Sequence, residues 1–319
     1  MTRTRELIEE ILEIRQRRRS VHRTSELFFR MIALERAFER RSEIEPELLK
    51  YFPVALVACL EGFFRLAMSE IIDTGPPFLE AAVKLLTNIK FDYEFIKALH
   101  GKRITTGDFI SHQVPLSSLT HIQTHLSALL NKEFLRELRN VTNRVAHEIH
   151  GKPKTPILAD PDAIYGIVER TFELRHIICH ELATNFKVSC DDVERCFFST
   201  MLFLKASGEL ISETLHPGAP LTQTDMNIAA GEELHHLLEK IRTIEQEIIS
   251  LLEKDRAEEF TLAASSWHAY MESWANFEAN ECKGGTIWPT MYANCAAELA
   301  KQRVGQLSEY LENYKQRWV

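Results

Sequence analysis

Apolar residues recur at intervals of three and four along most of this chain, and that spacing places them on one face of an α-helix. The alternation of apolar and polar residues that marks a half-buried strand is not the dominant pattern. Glycine and proline, which interrupt helices, number only 12 and 11 in 319 residues. The sequence therefore predicts an all-α fold, with a helical bundle followed by a small helical-hairpin domain.

Capping signals indicate where several of the predicted helices begin. Asp160 followed by Pro161 is typical of a helix start, and this helix is expected to continue past His180. Ser189, with Asp192 three residues later, opens the next helix. The predicted helices of this part of the chain span residues 6–44 (as one long or two consecutive helices), 51–72, 134–149, 161 to beyond 180, and 193–215.

The composition changes most sharply at residues 216–220, His-Pro-Gly-Ala-Pro, where proline and glycine are concentrated. We place a domain boundary there. The chain is then expected to comprise an N-terminal helical segment at 1–44, a helical domain at 45–216 and a small helical domain at 221–319. Beyond the boundary, the helical period predicts helices at 225–254, 258–281 and 289–314.

The charge and the cysteine content narrow the class of protein. A formal net charge of −8 argues against broad, charge-driven binding to nucleic acid, although a small basic cleft would still accept RNA phosphates. Residues 1–20 lack the apolar run of a secretory signal, and no stretch reaches the length of a membrane span. The six cysteines form no Cys-x-x-Cys pair and are expected to be free thiols or buried core residues. We therefore expect a cytoplasmic protein with no membrane partner.

Residues 175–180, Arg-His-Ile-Ile-Cys-His, carry the residue types that metal-free RNA cleavage requires. Histidine exchanges protons near neutral pH, and arginine supplies a fixed positive charge for a phosphate. Side chains five positions apart on a helix point about 140° from each other. One copy of Arg175 and His180 is therefore expected to form half a site, which a second copy of the chain completes across a two-fold axis.

These residues resemble the R-x4-H motif of the HEPN superfamily, with His176 at a position that the family prefers polar, and the resemblance covers about residues 44–215. It implies a helical bundle with metal-independent endoribonuclease activity of the toxin or phage-defence type, without a cofactor. It also implies that His180 acts as general acid or base at the ribose 2′-hydroxyl, with His176 beside it, while Arg175 stabilises the phosphate. The expected partners are an RNA substrate, a second copy of the chain, and an antitoxin or regulatory protein.

Other interpretations of these residues remain open. Some HEPN domains keep the fold without catalysis, so a non-catalytic module for dimerisation and protein interaction is the competing class. His176 and His180 also have the spacing of a helical metal pair, but the sequence offers no convincing third ligand. Arg144 and His150 form a looser version of the motif one helix earlier. Arg139 and Arg144 are candidate RNA contacts, with a solvated helix face as the alternative.

The C-terminal part, residues 221–312, resembles the N-terminal domain of the lysozyme-inhibitor LprI type, a helical module usually found in exported proteins. The resemblance rests on Thr-Gln-Thr-Asp-Met-Asn at 222–227, Trp-His-Ala-Tyr at 267–270, Gly-Gly-Thr-Ile at 284–287, Cys295 and Arg303. Ala229, Met271 and Ala275 stand at or near the family's cysteine, arginine and cysteine, so the partners of its disulfides are missing. We expect a recognition or assembly module with the aromatic stripe of residues 267, 270 and 274 in its core.

Overall fold

The computed structural model describes residues 3–18, 23–40, 43, 45–86, 92–101, 103–181 and 184–318. These residues form fourteen α-helices and no β-strand, with one isolated bridge between Thr142 and Pro156. The predicted all-α fold is confirmed. The contacts within the chain divide it into two compact units, Met1–Pro217 and Gly218–Val319.

The first unit is a bundle of long and short helices. Its helices are α1 (Arg3–Gln16), α2 (Arg23–Glu39), α3 (Pro46–Leu49), α4 (Tyr51–Asp73), α5 (Phe78–Ala81), α6 (Tyr93–His100), α7 (Thr106–Gln113), α8 (Leu119–Leu130), α9 (Phe134–Leu138), α10 (Pro161–His180) and α11 (Cys190–Leu215). A 3₁₀ turn spans Ala82–Leu85, and a π-helical turn spans Val145–Ile149. Residues 6–44 therefore contain two consecutive helices, which is one of the two predicted arrangements.

Helix α4 is the centre of this unit, as its apolar composition predicts. Its buried residues lie on nearly all of its faces, and α2, α7, α10 and α11 pack against it. Phe64 of α4 contacts Phe134 and Phe203, with ring centroids 6.0 and 5.7 Å away. Aromatic pairs at such distances stabilise a core beyond the area that they bury. The core therefore holds the buried face of α10 against α4, which positions the last turn of α10.

The starts of α10 and α11 agree with the capping signals. The Asp160 carboxylate accepts a hydrogen bond from the Ala163 amide, and Ser189 and Asp192 form a capping box at the start of α11. The end of α10 differs from the prediction. The helix ends at His180, because Glu181 has extended backbone angles (φ −111°, ψ 132°). The motif therefore occupies the terminal turns of its helix.

The predicted helix at 134–149 is wrong. Helix α9 ends at Leu138, and the Val141 carbonyl then accepts a hydrogen bond from the Ile157 amide at 2.8 Å. This pairing with a segment further along the chain satisfies backbone groups that a continuous helix would have used. The Asn143 side chain accepts a hydrogen bond from the Ala146 amide, so helical structure restarts only as the π-helical turn.

The second unit contains three long helices, α12 (Gln223–Leu251), α13 (Lys254–Ala279) and α14 (Trp288–Trp318), with a 3₁₀ turn at Asn280–Cys282. Helix α14 packs along both of the others, and its Leu307 and Leu311 meet Ile241 and Ile248 of α12 in the core. This is the predicted hairpin with one further helix. No described helix has both the length and the apolar character needed to cross a membrane.

The aromatic stripe of α13 is placed differently from the prediction. Trp267 packs against both apolar clusters of the second unit, as expected. Tyr270 and Trp274 are exposed, with 52% and 42% of their surface accessible. The buried face of α13 consists instead of small or flexible residues, namely Ala264, Met271, Ala275 and Ala279. These residues let α14 approach closely, and the two rings are left on the outer face.

Candidate functional site at the end of helix α10

The end of α10 presents the predicted catalytic residues to solvent. Val168, Phe172 and Leu174 are buried and anchor the helix in the core. Directly after Leu174, Arg175 is half-buried, whereas His176, Cys179 and His180 are exposed. The helix therefore changes from a packed element to an accessible one within the motif itself, and the reactive side chains lie on a surface that a large substrate can reach.

Arg175 and His180 are in direct contact. The Arg175 Nη1 atom lies 3.2 Å from His180 Nε2, although the residues are five positions apart on the helix. The expectation that helical geometry separates their functional atoms in one copy of the chain is wrong, because the long arginine side chain spans the angular separation of the two Cα–Cβ bonds. A guanidinium donates hydrogen bonds and accepts none, so this contact requires an unprotonated Nε2 on His180.

His176 completes a cluster of three side chains. Its ring centroid lies 5.1 Å from that of His180, at an interplanar angle of 45°. Arg175 forms no ion pair with a carboxylate in the part of the chain that the structure describes. No carboxylate among those residues therefore pairs with its positive charge. A guanidinium without a carboxylate partner is available to bind a phosphate. Within the same described residues, no group of three histidine, cysteine or acidic side chains is placed to hold a metal ion.

The two predicted RNA-binding arginines are already bound to carboxylates. Arg139 forms a two-pronged ion pair with Asp162, in which Nη1 and Oδ2 are 3.1 Å apart. Arg144 pairs with Glu148 and Glu213, each at 2.9 Å. Hydrogen bonds from these arginines lower the pKa values of the Asp162 and Glu148 carboxyls. Either arginine must leave its carboxylates before it binds a phosphate, so their role as RNA contacts stays a prediction.

The looser match formed by Arg144 and His150 is built differently from the α10 cluster. Arg144 is held between its two glutamates, with 21% of its side chain exposed. His150 directly follows the π-helical turn and is exposed. Its neighbour His147 directs Nδ1 toward the Lys152 carbonyl oxygen at 3.1 Å. An arginine paired with two carboxylates is less available to RNA than Arg175, and we retain this match as second.

A pocket beside the motif was missed by the sequence analysis. It has a volume of about 410 Å³ and is lined by Ile177, Ile178 and Glu181 from the end of α10, together with Tyr51 and Phe186. The signal in the sequence was an aromatic residue at the first position of an otherwise apolar helix. An aromatic residue at that position does not predict which other segment it faces, because the residues that line the pocket are far apart along the chain.

In the second unit, polar contacts join the starts of α12 and α14. The Asn227 side chain donates to the Thr286 carbonyl oxygen at 3.2 Å and accepts from the Thr290 hydroxyl. Gln223 also donates to the Thr290 hydroxyl, at 3.0 Å. These contacts fix the turn before α14 against the first turn of α12. The Thr-Gln-Thr-Asp-Met-Asn segment therefore has a structural role in joining the two helices.

A second set of contacts lies within the unit. The Arg303 guanidinium sits over the Trp267 ring, 5.5 Å from its centroid, and its Nη2 is 3.8 Å from Glu245 Oε1. His268 Nε2 lies 3.6 Å from the other oxygen of the same carboxylate.

Residues 217–307 match the family model of the lysozyme inhibitor LprI. The predicted LprI resemblance of the C-terminal module is confirmed, and the contacts of Trp267 and Arg303 belong to the LprI-like segment.

The LprI-like segment does not include the α10 motif, and the HEPN resemblance stays a prediction. No curated protein and no solved structure matches the chain. Met271 and Ala275, which stand at or near the arginine and cysteine of the LprI type, pack with Ala296 in an apolar cluster. None of the six cysteines forms a disulfide bond in the part of the chain that the structure describes. In this segment, helix packing takes the place of the bonds that the missing cysteines would make.

Proposed function

We propose that this protein is a metal-independent endoribonuclease of the toxin or phage-defence type, with its catalytic residues at the end of α10. The observation that supports this most directly is the 3.2 Å contact between Arg175 Nη1 and His180 Nε2 on an accessible helix end. A phosphate-binding cation and a proton acceptor are the two groups that metal-free RNA cleavage needs. They lie side by side, and no carboxylate among the described residues neutralises the arginine.

In the proposed reaction, the RNA phosphate first draws Arg175 away from His180. A charge-assisted hydrogen bond from a guanidinium to a phosphate is stronger than one to a neutral imidazole, so this exchange is favourable. His180 Nε2 is then free to take the proton of the 2′-hydroxyl as the 2′ oxygen attacks phosphorus. The bond from phosphorus to the 5′ oxygen breaks, and His176 donates a proton to that oxygen. The products are a 2′,3′-cyclic phosphate and a 5′-hydroxyl.

The proposal includes a homodimer and a cytoplasmic location. Two α10 ends facing each other across a two-fold axis would form a groove with two guanidiniums and four imidazoles. Such a local concentration of basic groups would allow RNA binding by a chain whose formal net charge is −8. Arg139 and Arg144 would extend this surface only after release from their carboxylates. An antitoxin or regulatory protein would be the partner that restrains the activity.

The direct test is incubation of the purified full chain with total RNA in the presence of EDTA, followed by analysis of the product ends. Removing a general base costs about 10²–10⁴-fold in rate, so His180→Ala and Arg175→Ala should each lose most cleavage. Like His180, His100 is an exposed histidine at the last position of its helix, so His100→Ala is a matched control. Arg170→Ala, in α10 and paired with Glu173, is the control for the arginine. Equal cleavage by wild type and both active-site variants would refute the proposal.

A second candidate function follows from the match of residues 217–307 to the lysozyme inhibitor LprI. That family name describes a protein that acts by binding another protein. We propose, as the alternative, that the chain is a non-catalytic interaction protein whose first unit dimerises and whose second unit binds a protein partner. Induced expression separates the two proposals. An active toxin should slow growth, and His180→Ala or Arg175→Ala should relieve it, whereas an interaction protein should give equal growth in all three.

A further inference from the structure

Three side chains form an aromatic row on the outer face of α13. Tyr270, Trp274 and Phe277 are spaced by four and three residues, so they lie on one side of the helix. The rings of Tyr270 and Trp274 are stacked with their centroids 6.3 Å apart, and the centroids of Trp274 and Phe277 are 5.6 Å apart. All three side chains are exposed, and Phe277 has 67% of its surface accessible. A contiguous apolar patch, unlike a single exposed residue, marks an interaction surface.

The aromatic row lies outside the contact between α13 and α14. Met271 and Ala275 pack with Ala296 of α14. Consecutive side chains on a helix point about 100° apart, so their neighbours Tyr270 and Trp274 point away from this contact. Among the described residues, the apolar clusters of the second unit include none of the three rings. The rings are therefore available to a partner molecule.

The charges around the aromatic row favour a cationic partner. Residues 257–282 contain five glutamates and neither lysine nor arginine. Glu278 follows Trp274 by four positions, and Glu281 follows Phe277 by four, so each carboxylate is a helical neighbour of a ring. Neither carboxylate forms an ion pair in the part of the chain that the structure describes. An aromatic face also attracts a guanidinium or an ammonium group, so rings and carboxylates select the same kind of partner.

The second unit already contains one arrangement of this kind. The Arg303 guanidinium lies over the Trp267 ring and beside the Glu245 carboxylate, at 5.5 Å from the ring centroid and 3.8 Å from Oε1. Trp274 lies seven residues after Trp267, about two turns further along α13. It has a glutamate neighbour of its own, but no arginine or lysine of the described chain lies over its ring. An arginine from another molecule would complete the second arrangement.

The net charge of the second unit distinguishes between two possible partners, a second copy of the chain and a different, basic protein. Residues 218–319 include sixteen acidic and nine basic residues, so they carry a formal charge of −7 out of −8 for the whole chain. Two copies of this unit would bring like charges together, which opposes their association, whereas a basic surface would be attracted. The charge therefore favours a basic protein over a second copy.

We propose that the aromatic row of α13, with its two neighbouring glutamates, binds an arginine-bearing surface of another protein. The inference is independent of the ribonuclease proposal and rests on the alternative one, in which the second unit binds a protein partner. Arginine suits this surface better than lysine, because its planar guanidinium stacks on aromatic rings and also forms paired hydrogen bonds with a carboxylate. Tryptophan, tyrosine and arginine are also the residues that contribute most to the affinity of protein interfaces.

The test uses a fluorescently labelled, alanine-based peptide that carries several arginines. The full chain is titrated into it at about 0.15 M salt, where screening weakens distant charges, and anisotropy reports binding. The same peptide with citrulline in place of arginine keeps the planar shape and loses the charge. We expect the arginine peptide to bind at least about tenfold more tightly than the citrulline peptide, and a glutamate peptide not to bind. A lysine peptide should bind more weakly than the arginine peptide.

Substitutions in the aromatic row locate the binding surface. Trp274→Ala should weaken binding of the arginine peptide about tenfold or more, as expected for an aromatic residue at the centre of an interface. Trp274→Phe keeps an aromatic face and should retain most of the affinity. Tyr93→Ala, at an exposed tyrosine of the first unit, is the control and should change nothing. Because these side chains are exposed, all three variants should keep the helical circular dichroism of the wild type.

A matched pair of charge variants separates local contacts from the net charge. Glu278→Gln combined with Glu281→Gln should weaken binding about threefold to tenfold, since each exposed charge contact contributes up to about 1 kcal/mol. Glu309→Gln combined with Glu312→Gln removes the same charge from exposed positions of α14 and should have a clearly smaller effect. Equal effects of the two pairs would overturn the assignment to the aromatic row.

The remaining outcomes are also decisive. Equal binding of the arginine and citrulline peptides, or no binding of either, would overturn the inference. If the arginine peptide binds but Trp274→Ala has no effect, the second unit still binds a partner and only the assignment to the aromatic row fails. Sedimentation of the full chain tests the second copy, because a dimer that Trp274→Glu dissociates would place the row between copies and overturn the inference. Binding as expected without RNA cleavage would leave the inference standing and refute the ribonuclease proposal.

Discussion

Arg175 and His180 meet through Nη1 and Nε2 at 3.2 Å, across nearly one and a half turns of the same helix. A count of helical angles places their Cα–Cβ bonds about 140° apart and suggests that the two groups cannot cooperate. The arginine side chain is long enough to reach the His180 imidazole across that angle. One copy of the chain therefore brings together the two groups that were expected to meet only across a dimer, and the second copy in the proposed homodimer adds a further set.

The contact predicts the tautomer of His180. Because Arg175 only donates hydrogen bonds, neutral His180 should carry its proton on Nδ1 and leave Nε2 bare. Long-range ¹H–¹⁵N NMR spectra of the imidazole rings distinguish the two tautomers directly. Arg175→Met should release His180 to the mixture of tautomers expected for a free ring. A protonated Nε2 in the neutral ring of the wild-type protein would contradict the contact.

A second histidine makes the stability of the first unit depend on pH. His112 donates from Nδ1 to the Asp108 carbonyl oxygen at 2.8 Å, and its Nε2 is buried without a hydrogen-bond partner among the described residues. Burial, with the nearby charges of Arg65 and Arg18, lowers the pKa of His112 from an ordinary value of 6.5 to about 4. The carbonyl and the charge of Asp108 oppose this shift but do not overcome it.

The sign of the pH effect follows from the depressed pKa. Between about pH 6.5 and pH 4 the unfolded chain binds a proton at His112 that the folded chain does not, so stability falls as the pH falls through this window. The loss is at most about 3 kcal/mol. Urea unfolding followed by circular dichroism from pH 7 to pH 4 should show a shallower decline for His112→Gln than for wild type. His100→Gln, at an exposed histidine, should keep the wild-type slope, and identical slopes for all three proteins would rule the effect out.

The parts of the fold that local sequence determines were predictable. Asp160 with Pro161, and Ser189 with Asp192, are short-range signals, and the helices begin where these signals place them. The segment at 134–149 failed because Val141 pairs with Ile157, and such a partner is not visible in a local window. The same limit applies to the pocket beside α10, whose walls come from residues about 130 positions apart along the chain. Local periodicity identifies faces of helices but does not say what they meet.

The crossing of α4 and α7 predicts opposite effects for two glycine substitutions. A methyl group at Gly107 would overlap the Ser69 carbonyl oxygen and lie 2.7 Å from Asp73 Oδ2, while the Gly107 amide donates to Asp73 Oδ1. Gly107→Ala should therefore destabilise the first unit by about 1–3 kcal/mol, the usual cost of overpacking. Gly166 lies inside α10 with open space around it.

Gly166→Ala is the matched control, because it adds the same methyl group where nothing is displaced. It should stabilise the protein by about 0.5–1 kcal/mol, since glycine within a helix loses more backbone entropy on folding than alanine. Both free energies can be measured by chemical unfolding of the full chain followed by circular dichroism. A Gly107→Ala protein as stable as wild type would show that α7 does not approach α4 as closely as the structure describes.

The Arg303–Glu245 pair predicts a large stability effect in the second unit. Their side chains are only 11% and 12% exposed, and burial lowers the pKa of the Arg303 guanidinium. Arg303→Ala would leave the Glu245 carboxylate almost buried, with His268 beside it, and removing one partner of a buried pair costs about 3 kcal/mol. Arg303→Met combined with Glu245→Gln removes both charges and should recover most of that loss.

All four tryptophans lie in the second unit, so their fluorescence reports its unfolding specifically. The Arg303→Ala protein should show a fluorescence transition at clearly lower urea concentration than wild type. Lys301 forms an exposed pair with Glu233 at 2.7 Å, so Lys301→Ala should cost no more than about 1 kcal/mol. If both single variants lose equally little, the contacts of Arg303 with Glu245 and with the Trp267 ring contribute no more than a surface ion pair.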